Sequence, residues 1–426
     1  MPFSSSQQSN HYDAIIVGAS FAGLSFANIA ATHGMRVLVL ERASRVGGIV
    51  RTTDVLFSDV LDILDMPERY LMNAVRHIHI QPPDHQPLEV SSSAYRFYLA
   101  DVTGILGWMA EQAQEHGATI QCDTMFLDAT SNADGLMDIE VGHLSAPGEL
   151  STFSTKILIG ADGTNSRVAR CMGLELNTRF LASAEWLLED VALDRETFYL
   201  IMEHELAPGY CLWLAPHGEI AAMGVAGHPR AFNPTTSLRK AQELFQDVVD
   251  MSKAHVIERK AGVIPTGGRL HRVYRHDKLG HALLLGDAAG LCGAATGAGI
   301  YPALISGRLA AHAVADEVMH GTDGSIKAYL QNISQTGSLS HFLRIEDWLR
   351  LVLDNMKSDA DVSTLYGLFA SPEGHKILQS ALLETPIIDM DNNFFNLLRG
   401  LLGKHPRIYR SAFQALWQRM VASNKV

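Results

Sequence analysis

Three short stretches of the chain combine glycine with acidic residues at spacings that suit nucleotide chemistry. The first runs from Gly18 to Gly23 and matches the dinucleotide fingerprint, except that Ser20 stands where the second glycine usually lies. Gly18 permits a tight turn and Gly23 permits close helix packing, and the helix that follows would point free N–H groups at a pyrophosphate. Glu41 ends the next apolar segment, where a carboxylate can accept both hydroxyls of a ribose.

The second stretch covers residues 160–170 and contains Asp162 and Gly163. It follows an apolar segment and is predicted to open a helix. An acidic residue in a glycine turn is most often structural when it stands alone. Its meaning therefore depends on the other two stretches.

The third stretch begins at Gly286 and Asp287 and continues through Gly297, Gly299 and Ile300. An apolar strand would bring Asp287 to a strand end, where its carboxylate can bond a polyol hydroxyl. The small residues would let a flat ring lie against backbone, and a helix beginning near Gly299 would point its positive end at that ring. Such a dipole stabilises negative charge on a reduced flavin, at N1 and the adjacent carbonyl.

The elements around these stretches predict how the chain positions them. Residues 12–18 are predicted to form a buried strand that stops at glycine, 22–33 a helix and 36–41 a second strand. Strand, glycine turn, helix and strand make a βαβ unit, so a parallel sheet begins near the N-terminus. Residues 156–160 and 282–286 are predicted to add further strands of this kind.

Residues 176–261 have a different residue pattern, which predicts a separate antiparallel sheet. Its strands are expected at 197–202, 210–215 and 219–225, with a helix near 237–250, and the chain is helical from about residue 325. The predicted division is a nucleotide-binding domain of residues 10–72, 95–175 and 262–324, a substrate domain of 73–94 and 176–261, and a C-terminal helical region of 325–426.

Composition limits the class of protein. The chain has 426 residues, of which 47% are hydrophobic and 19% are charged, as expected for a globular protein of two or three domains. Its net charge of −12 argues against a nucleic-acid partner. The four cysteines form no CxxC pair and His77 and His79 lack a third ligand, so we predict neither disulfides nor a metal site. This cysteine usage favours a cytoplasmic protein.

Neither the N-terminal segment nor the longest uncharged run of the chain predicts a membrane span. The first 13 residues are polar and lack the pattern of a signal peptide, and the uncharged run between Asp287 and Arg308 is expected to form a buried loop and helix. Residues 394–426 carry six basic residues and no acidic one, beside large apolar side chains. Two interpretations stay open, a peripheral contact with an anionic membrane or a helix packed on the body of the protein.

In this order and at these spacings, the three stretches resemble the two-domain flavoproteins that include aromatic hydroxylases and geranylgeranyl reductases. The resemblance covers about residues 12–320. It implies an α/β fold with a Rossmann-like FAD-binding domain built on a parallel sheet, an antiparallel substrate domain and a helical C-terminal region. It also implies FAD as cofactor, with the ADP half at Gly18, Gly23 and Glu41, the pyrophosphate region at Asp162 and Gly163, the ribitol at Asp287, and further contacts from Ser20, Arg42, Arg51, Gly286, Gly297, Gly299 and Ile300.

Details within the group are similar to the geranylgeranyl reductase branch. Residues 297–301 (GAGIY) are similar to the TGEGIYYA segment of these reductases, and residues 46–53 look like their IGSPVRCG segment. Residues 209–216 look like their YxWxFP strand, whose aromatic side chains face the substrate. The resemblance therefore implies a substrate site at Tyr210, Cys211, Trp213, Pro216 and Tyr301.

Two departures from the reductase pattern concern the chemistry. The reductases have a cysteine after the residue equivalent to Arg51, and this chain has Thr52, which does not ionise easily. Cys211 occupies the tyrosine position of the substrate strand. The candidates for chemistry beside the flavin are Thr52, Arg51 and Cys292, although a buried cysteine is more often a packing residue.

Three functional hypotheses follow. The first is an FAD-dependent oxidoreductase that reduces a carbon–carbon double bond of an isoprenoid-like or polyene substrate, with hydride from flavin N5 and a proton from a nearby acid or water. The second is a flavin monooxygenase or epoxidase of a hydrophobic or aromatic substrate, and the third is a non-catalytic lipid-binding protein on the same fold. Because the chain has no second dinucleotide fingerprint, NAD(P)H or another external reductant would act transiently, and a separate reductase partner is equally open.

Overall fold

The computed structural model describes residues 10–380, except 49, 51, 85 and 93–96, together with residues 382 and 400. Arg51 therefore lies outside the described residues. The basic segment 394–426 also lies outside them, apart from residue 400.

A βαβ unit opens the chain, as the sequence predicts. Strand β1 (His11–Val17) leads through a glycine turn into α1 (Phe21–Thr32), and β2 (Val37–Leu40) lies parallel to β1. The last five residues of β1 and all of β2 are buried, which is typical of strands in a sheet covered on both faces. The Ser20 hydroxyl accepts a hydrogen bond from the Gly23 N–H at 3.5 Å and so begins α1.

Five short strands and a second helix follow. The side chain of Asp101 accepts a hydrogen bond from the Gly104 N–H at 2.8 Å, so the second helix begins with a side-chain cap. The elements are β3 (Val55–Phe57), β4 (Leu71–Val75), β5 (His77–Gln81), β6 (Leu88–Ser91), β7 (Phe97–Ala100) and α2 (Val102–Glu115).

The chain then returns to the first sheet and builds a hairpin. Strands of this hairpin pair antiparallel, and the last of them continues beside β1 in parallel register. The elements are β8 (Thr119–Gln121), β9 (Thr124–Ser131), β10 (Met137–His143), β11 (Leu150–Gly160) and α3 (Arg167–Cys171).

The second large sheet follows, and its strands and helix lie close to the predicted positions. The helix starts with Pro234 in its first turn and is capped by the Asn233 side chain, which is the preferred order of these residue types. The elements are β12 (Phe180–Glu189), β13 (Thr197–Ile201), β14 (Leu212–His217), β15 (Ile220–Gly227), α4 (Pro234–Phe245) and β16 (His255–Pro265).

Two strands return the chain to the first sheet, and helices follow. The uncharged run forms a buried loop and the start of a long helix, and no helix of the described residues has the length and hydropathy needed to cross a bilayer. The elements are β17 (Tyr274–Asp277), β18 (Gly280–Leu284), α5 (Ile300–His320), α6 (Ser325–Gln331), α7 (Ser338–Asn355), α8 (Asp359–Phe369) and α9 (Pro372–Gln379), with a π-helical turn (Asn332–Thr336) between α6 and α7.

Three sheets result. The first has eight strands. Six follow the order β17-β18-β11-β1-β2-β8, and β10 joins β11 to β9. Five of these strands, β18, β11, β1, β2 and β8, run parallel to one another. The second has the order β16-β12-β15-β14-β13-β5-β6 and is antiparallel except for the pair β5 and β13. A small third sheet, β3-β7-β4, is antiparallel and was not predicted.

The predicted fold class is therefore confirmed, with one parallel pair in the otherwise antiparallel sheet. That pair forms because β5 reaches the second sheet from an earlier part of the chain rather than through a hairpin. The domain boundaries stay a prediction, and the boundary between residues 261 and 262 falls inside β16.

Helices α1 and α5 pack with their backbones in close approach. A Cβ atom added at Gly307 of α5 would lie only 2.4 Å from the backbone oxygen of Ala22 in α1. The Ser25 hydroxyl donates a buried hydrogen bond to the Leu304 carbonyl at 2.8 Å, which ties the two helices together. Because α1 starts at the first glycine loop and α5 starts at the third, this contact fixes the two loops relative to each other.

Replacing Gly307 with alanine should therefore destabilise the protein. We expect G307A to lower the free energy of unfolding by about 1–3 kcal/mol, because the backbone of α1 must move to admit the methyl group. Urea denaturation measures the change. The matched control is Gly107→Ala in α2, where the added Cβ meets no atom within 4 Å. Equal stability of G307A and the wild type would contradict the close approach.

Candidate functional site

A cavity of about 980 Å³ is lined by residues of both large sheets and of the C-terminal helices. One end is formed by the three glycine loops and carries the acidic residues identified in the sequence. The other end is formed by apolar side chains of the second sheet and of α7, α8 and α9. The lining therefore combines a polar region and an apolar region in one space.

The first glycine loop makes the tightest turn at the polar end. Gly18 has a φ of +104°, and an added Cβ would lie 2.4 Å from the Ala161 carbonyl oxygen, so only glycine fits. Ser20 Oγ donates to the same carbonyl at 3.1 Å and joins this loop to the second one. Gly23 does not line the cavity, because it lies behind the loop, where an added Cβ would lie 2.0 Å from the Gly18 carbonyl oxygen.

Glu41 and Arg42 line the same end beside this loop. The two carboxylate oxygens of Glu41 accept hydrogen bonds from the N–H groups of Ala19, at 3.0 Å, and Ala43, at 2.8 Å. The carboxylate is thereby held at the end of β2. It lies at the position from which a ribose could be bound.

Asp162 joins the second loop to the helix that follows it. Its Oδ2 accepts hydrogen bonds from the N–H groups of Arg167, at 2.6 Å, and Val168, at 3.1 Å. Its Oδ1 is buried and has no hydrogen-bond partner among the described residues. Burial raises the pKa of this carboxyl group. Asp162 and the neighbouring Gly163 both line the cavity, and the unpaired oxygen leaves this loop with hydrogen-bonding capacity for a ligand.

The third loop brings Asp287 to the start of α5. Burial raises the pKa of Asp287 to about 6, and an added Cβ at Gly299 would lie 3.3 Å from its Oδ1. Gly297 has a φ of +74°, Gly299 caps α5, and Ile300 is the first residue of that helix. The cavity lining includes the residues of this loop named in the sequence analysis, which are Gly286, Asp287, Gly297, Gly299 and Ile300. The positive end of the 21-residue helix α5 therefore faces the cavity.

These residues fit FAD. Two helices begin at the polar end, α1 and α5, and each presents N–H groups and a positive dipole to an anion. Two carboxylates, Glu41 and Asp287, follow the carboxyl ends of parallel strands, where they can accept hydrogen bonds from the hydroxyls of a ribose or ribitol. Asp162, which has one oxygen without a hydrogen bond, belongs to the same lining.

The family comparison agrees with this fit. The model of a family described as FAD binding domain matches residues 11–334. The chain belongs to this FAD-binding family. It is therefore an FAD-dependent oxidoreductase. The assignment of its cofactor site to the three glycine loops stays a prediction, and these loops line the cavity.

Similar proteins include named reductases. The chain is 28% identical over 324 residues to digeranylgeranylglycerophospholipid reductase 2 of Methanococcoides burtonii, which covers 73% of this chain and 77% of the relative. A geranylgeranyl bacteriochlorophyll reductase-like protein of Thermoplasma acidophilum has the same fold, with a TM-score of 0.79, 20% identity and coverage of 95% and 99%. Aklavinone-11 hydroxylase is more distant, with a TM-score of 0.62, 16% identity and coverage of 82% and 69%.

The predicted substrate residues separate into two groups. Tyr210, Cys211 and Trp213 line the cavity. Pro216 does not, because side chains alternate along β14 and Pro216 lies on the face opposite Trp213. Tyr301 is also absent from the lining, since its ring packs edge-on against Phe342 in the core, with ring centroids 6.4 Å apart.

Trp213 lies flat across the neighbouring strand because that strand has no side chain there. Trp213 of β14 pairs with Gly224 of β15, and a Cβ added at Gly224 would lie 2.1 Å from the indole ring. The indole therefore reaches the next strand, where its N–H donates to Glu185 Oε2 at 3.1 Å. Glu185 and Trp213 together form one wall of the cavity.

The predicted catalytic candidates stay predictions, and their surroundings differ. Thr52 lines the cavity, and its hydroxyl accepts a hydrogen bond from the Asp54 N–H at 3.4 Å. Cys292 also lines the cavity, but burial raises the pKa of its thiol well above the ordinary value. Burial likewise raises the pKa of Cys211 to about 12. Neither cysteine therefore provides a thiolate near neutral pH.

Histidines outside the cavity are held by neighbouring side chains. His77 Nδ1 lies 2.8 Å from the Ser91 hydroxyl, and His79 Nδ1 lies 2.5 Å from Glu89. A further cluster, not noticed in the sequence, brings ligand atoms of His276, His281 and Glu317 within 4.8 Å of one another. The Tyr274 hydroxyl lies 3.4 Å from both His281 and Glu317, so this cluster is linked by hydrogen bonds.

Sequence reasoning missed the contribution of α7. Glu346 is buried, and its Oε2 accepts hydrogen bonds from the N–H groups of Ala295 and Thr296, both at 2.9 Å. The Tyr210 hydroxyl donates to the Thr296 carbonyl in the same loop. The fully buried Arg350 donates to the Gly209 carbonyl at 2.5 Å. The sequence feature that could have revealed them is the presence of two charged residues, four positions apart, among the apolar residues of one helix face.

Removing the Glu346 carboxylate should weaken FAD binding. We expect Glu346→Ala to raise the Kd for FAD about tenfold or more, because the loop that ends at Gly299 loses two hydrogen bonds. Titration of the flavin-free protein with FAD, followed by flavin fluorescence, measures the change. Glu346→Gln is the matched control, since its carbonyl oxygen can still accept both bonds. Wild-type affinity in E346A would show that the loop needs no support from α7.

Filling the gap at Gly224 should displace Trp213. We expect Gly224→Ala to push the indole off the strand and away from Glu185, because the added methyl group overlaps the ring. Tryptophan fluorescence should shift toward longer wavelength. The control is Gly267→Ala, where the nearest atom lies 3.8 Å from the added Cβ. An unchanged spectrum in G224A would exclude the flat arrangement of Trp213.

Proposed function

We propose that this protein is an FAD-dependent reductase of carbon–carbon double bonds in a long isoprenoid lipid. The observation that carries the proposal is the continuity of the cavity from the three glycine loops into an apolar space. That space is lined by Ile78, Ile80, Phe97, Phe198, Leu200, Tyr366, Leu378 and Leu382. A long hydrocarbon chain fits such a lining, and the reductase names of the similar proteins support this substrate class.

The residues at the polar end would position the cofactor for this reaction. The first and second loops would hold the ADP half and the pyrophosphate, and Asp287 would bind the ribitol. When bound and reduced, FAD supplies two electrons and a hydrogen to an alkene carbon. The positive end of α5 would stabilise the negative charge of the reduced ring.

The residues at the apolar end would bind and orient the lipid. Trp213 and Phe198 offer flat surfaces beside the sheet, and Phe198 also packs edge-on against Phe97 with ring centroids 5.8 Å apart. The aliphatic side chains would keep water away from the reacting carbons. A large apolar space is less suited to a small polar substrate, which would leave its polar groups unpaired.

The reductant and the membrane contact belong to the same proposal. An external reductant, NAD(P)H or a separate reductase protein, would reduce the flavin transiently. We also propose that the protein is cytoplasmic and reaches its lipid at the membrane surface through the basic segment 394–426. The clustering of basic and large apolar residues in that segment supports this contact.

The alternative function is a monooxygenase or epoxidase of a hydrophobic or aromatic substrate. Thr52 in place of the reductases' cysteine favours it, as does the fold shared with aklavinone-11 hydroxylase. A product assay separates the two. The reduced protein is mixed with geranylgeranyl phospholipid vesicles without oxygen and then with oxygen, and products are weighed by mass spectrometry. Gain of two hydrogens per double bond without oxygen supports the reductase, and gain of an oxygen atom supports the alternative.

The length of the apolar space should set the length of the preferred chain. We expect Leu378→Trp to reduce turnover of geranylgeranyl lipids about tenfold while leaving shorter geranyl lipids nearly unaffected, because the indole occupies space that only the longer chain needs. Steady-state rates with both chain lengths measure the effect. Leu144→Trp, at an exposed position far from the lining, is the control. Equal loss with both chain lengths would contradict this use of the space.

A further inference from the structure

An acidic residue lies in the wall of the apolar end without a full set of partners. Glu185 of β12 is 5% exposed and lines the cavity. Its Oε2 accepts from the Trp213 indole N–H, but its Oε1 has no hydrogen-bond partner among the described residues. The Lys260 Nζ is 3.8 Å from Oε1. A buried carboxyl oxygen without a hydrogen bond is costly, so it calls for an explanation beyond packing.

Strand register aims this residue at the same space as the lipid. Lys260 of β16 pairs with Glu185, which pairs with Gly224, which pairs with Trp213. Paired residues of neighbouring strands share one face of a sheet. Leu200 and Ile80 continue the same row on β13 and β5, and both line the apolar end. Glu185 and the apolar residues proposed to bind the lipid therefore lie on one face.

A row of charged groups continues from Glu185, and its members Lys260 and His217 are both partly exposed to solvent. Lys260 Nζ lies 3.4 Å from Asp54 Oδ2, and that oxygen lies 2.9 Å from His217 Nε2. The His217 side chain is 16% exposed, whereas that of Asp54 is 5% exposed. Asp54 has a φ of +61°, an uncommon conformation for a residue other than glycine. Such an uncommon backbone conformation is often found where the position of the side chain matters for function.

The surroundings of Glu185 favour its protonated form near neutrality. Burial raises the pKa of Glu185 to about 7, although Lys260 and the Trp213 N–H act to lower it, and Asp54 acts to raise it. His217 is the remaining charged neighbour and acts to lower the pKa. Two other titratable side chains of this wall, Tyr210 and Cys211, stay neutral because burial raises their pKa values.

We propose that Glu185 is the catalytic acid that protonates the substrate alkene, and that Lys260, Asp54 and His217 return the proton from solvent. This inference rests on the proposed function. The alkene π electrons would form a C–H bond with the Glu185 proton, and the other alkene carbon would take the hydride that reduced FAD supplies when bound. The alkene would gain two electrons, the cofactor would lose two, and Glu185 would be left as a carboxylate. Lys260 then returns a proton to it and is itself reprotonated through Asp54 and His217.

The other candidates near the cavity suit this role less well. The Tyr210 hydroxyl already donates to the Thr296 carbonyl. Cys292 lies beside the Asp287 loop, and burial raises the pKa of its thiol far above neutrality, so it gives up its proton too reluctantly. Glu185 lines the cavity and combines an acidic proton near neutral pH, a buried oxygen without a hydrogen bond and charged neighbours that can return a proton.

The decisive variant is Glu185→Gln, because glutamine keeps the volume and can still accept the Trp213 hydrogen bond. We expect E185Q to reduce alkenes at least about 100-fold more slowly than the wild type, the range typical of general acids, while its Kd for FAD stays unchanged. The wild-type rate should fall as pH rises through about 7, because the protonated form is the donor. The control is Glu189→Gln on the same strand, where the side chain is 49% exposed and faces His255.

Two further measurements separate catalysis from a structural role. In the flavin-free protein, the infrared difference spectrum of the wild type minus E185Q should show a protonated carboxylic acid band that disappears with a midpoint near pH 7. The wild type minus E189Q should show no such band, and the subtraction removes the contribution of Asp287, whose pKa burial raises to about 6. His217→Ala should lower steady-state turnover, and added imidazole should restore it. A Glu185 that only packs in the wall would still show the band, but His217→Ala would then keep wild-type turnover and imidazole would change nothing.

The outcomes distinguish this inference from the function on which it rests. A wild type that reduces no prenyl lipid overturns the proposed function and the inference together. An active wild type with an equally active E185Q overturns only the inference. An inactive E185Q that retains FAD affinity, with the infrared band assigned to Glu185, supports both.

Discussion

The contact between α1 and α5 is the constraint on which the cofactor site depends. The two helices begin at different glycine loops, far apart in the chain, and both loops must face one elongated ligand. The absence of a side chain at Gly307 lets the helix backbones meet, and the bond from Ser25 to the Leu304 carbonyl fixes their register. With the helices locked, the positive ends of both dipoles point into the same cleft. A looser helix pair would leave each loop intact but would no longer fix the position of one loop relative to the other.

The cavity places two different environments within one continuous space, and each is maintained by a different kind of contact. The polar end is held by backbone geometry, as at Gly18, and by carboxylates with backbone donors, as at Glu41. The apolar end is held by cross-strand rows, in which the missing side chain of Gly224 lets Trp213 reach Glu185. An ionisable side chain placed in that apolar wall is expensive in free energy, and such sites are most often functional.

The parts of this site that could be predicted from the sequence are those made by neighbouring residues. The glycine loops and the strands and helices around them depend on local backbone preferences, so their positions follow from short patterns. Pro216 and Tyr301 were predicted as substrate residues from a local resemblance, and strand alternation and the packing against Phe342, which no local pattern contains, place them outside the cavity lining. Glu185 and Glu346 were missed because their partners come from distant strands and loops, which no local pattern reveals.

The contacts of helix α7 have a consequence for how the protein unfolds. Its Glu346 is bonded to the loop that precedes α5, and its Arg350 is bonded to the Gly209 carbonyl ahead of β14, so one helix is attached to both large sheets. Either sheet can separate from the other only if one of these buried charged groups loses its partners, which costs several kcal/mol. The two halves are therefore coupled in unfolding, and the chain should melt in a single cooperative transition rather than domain by domain.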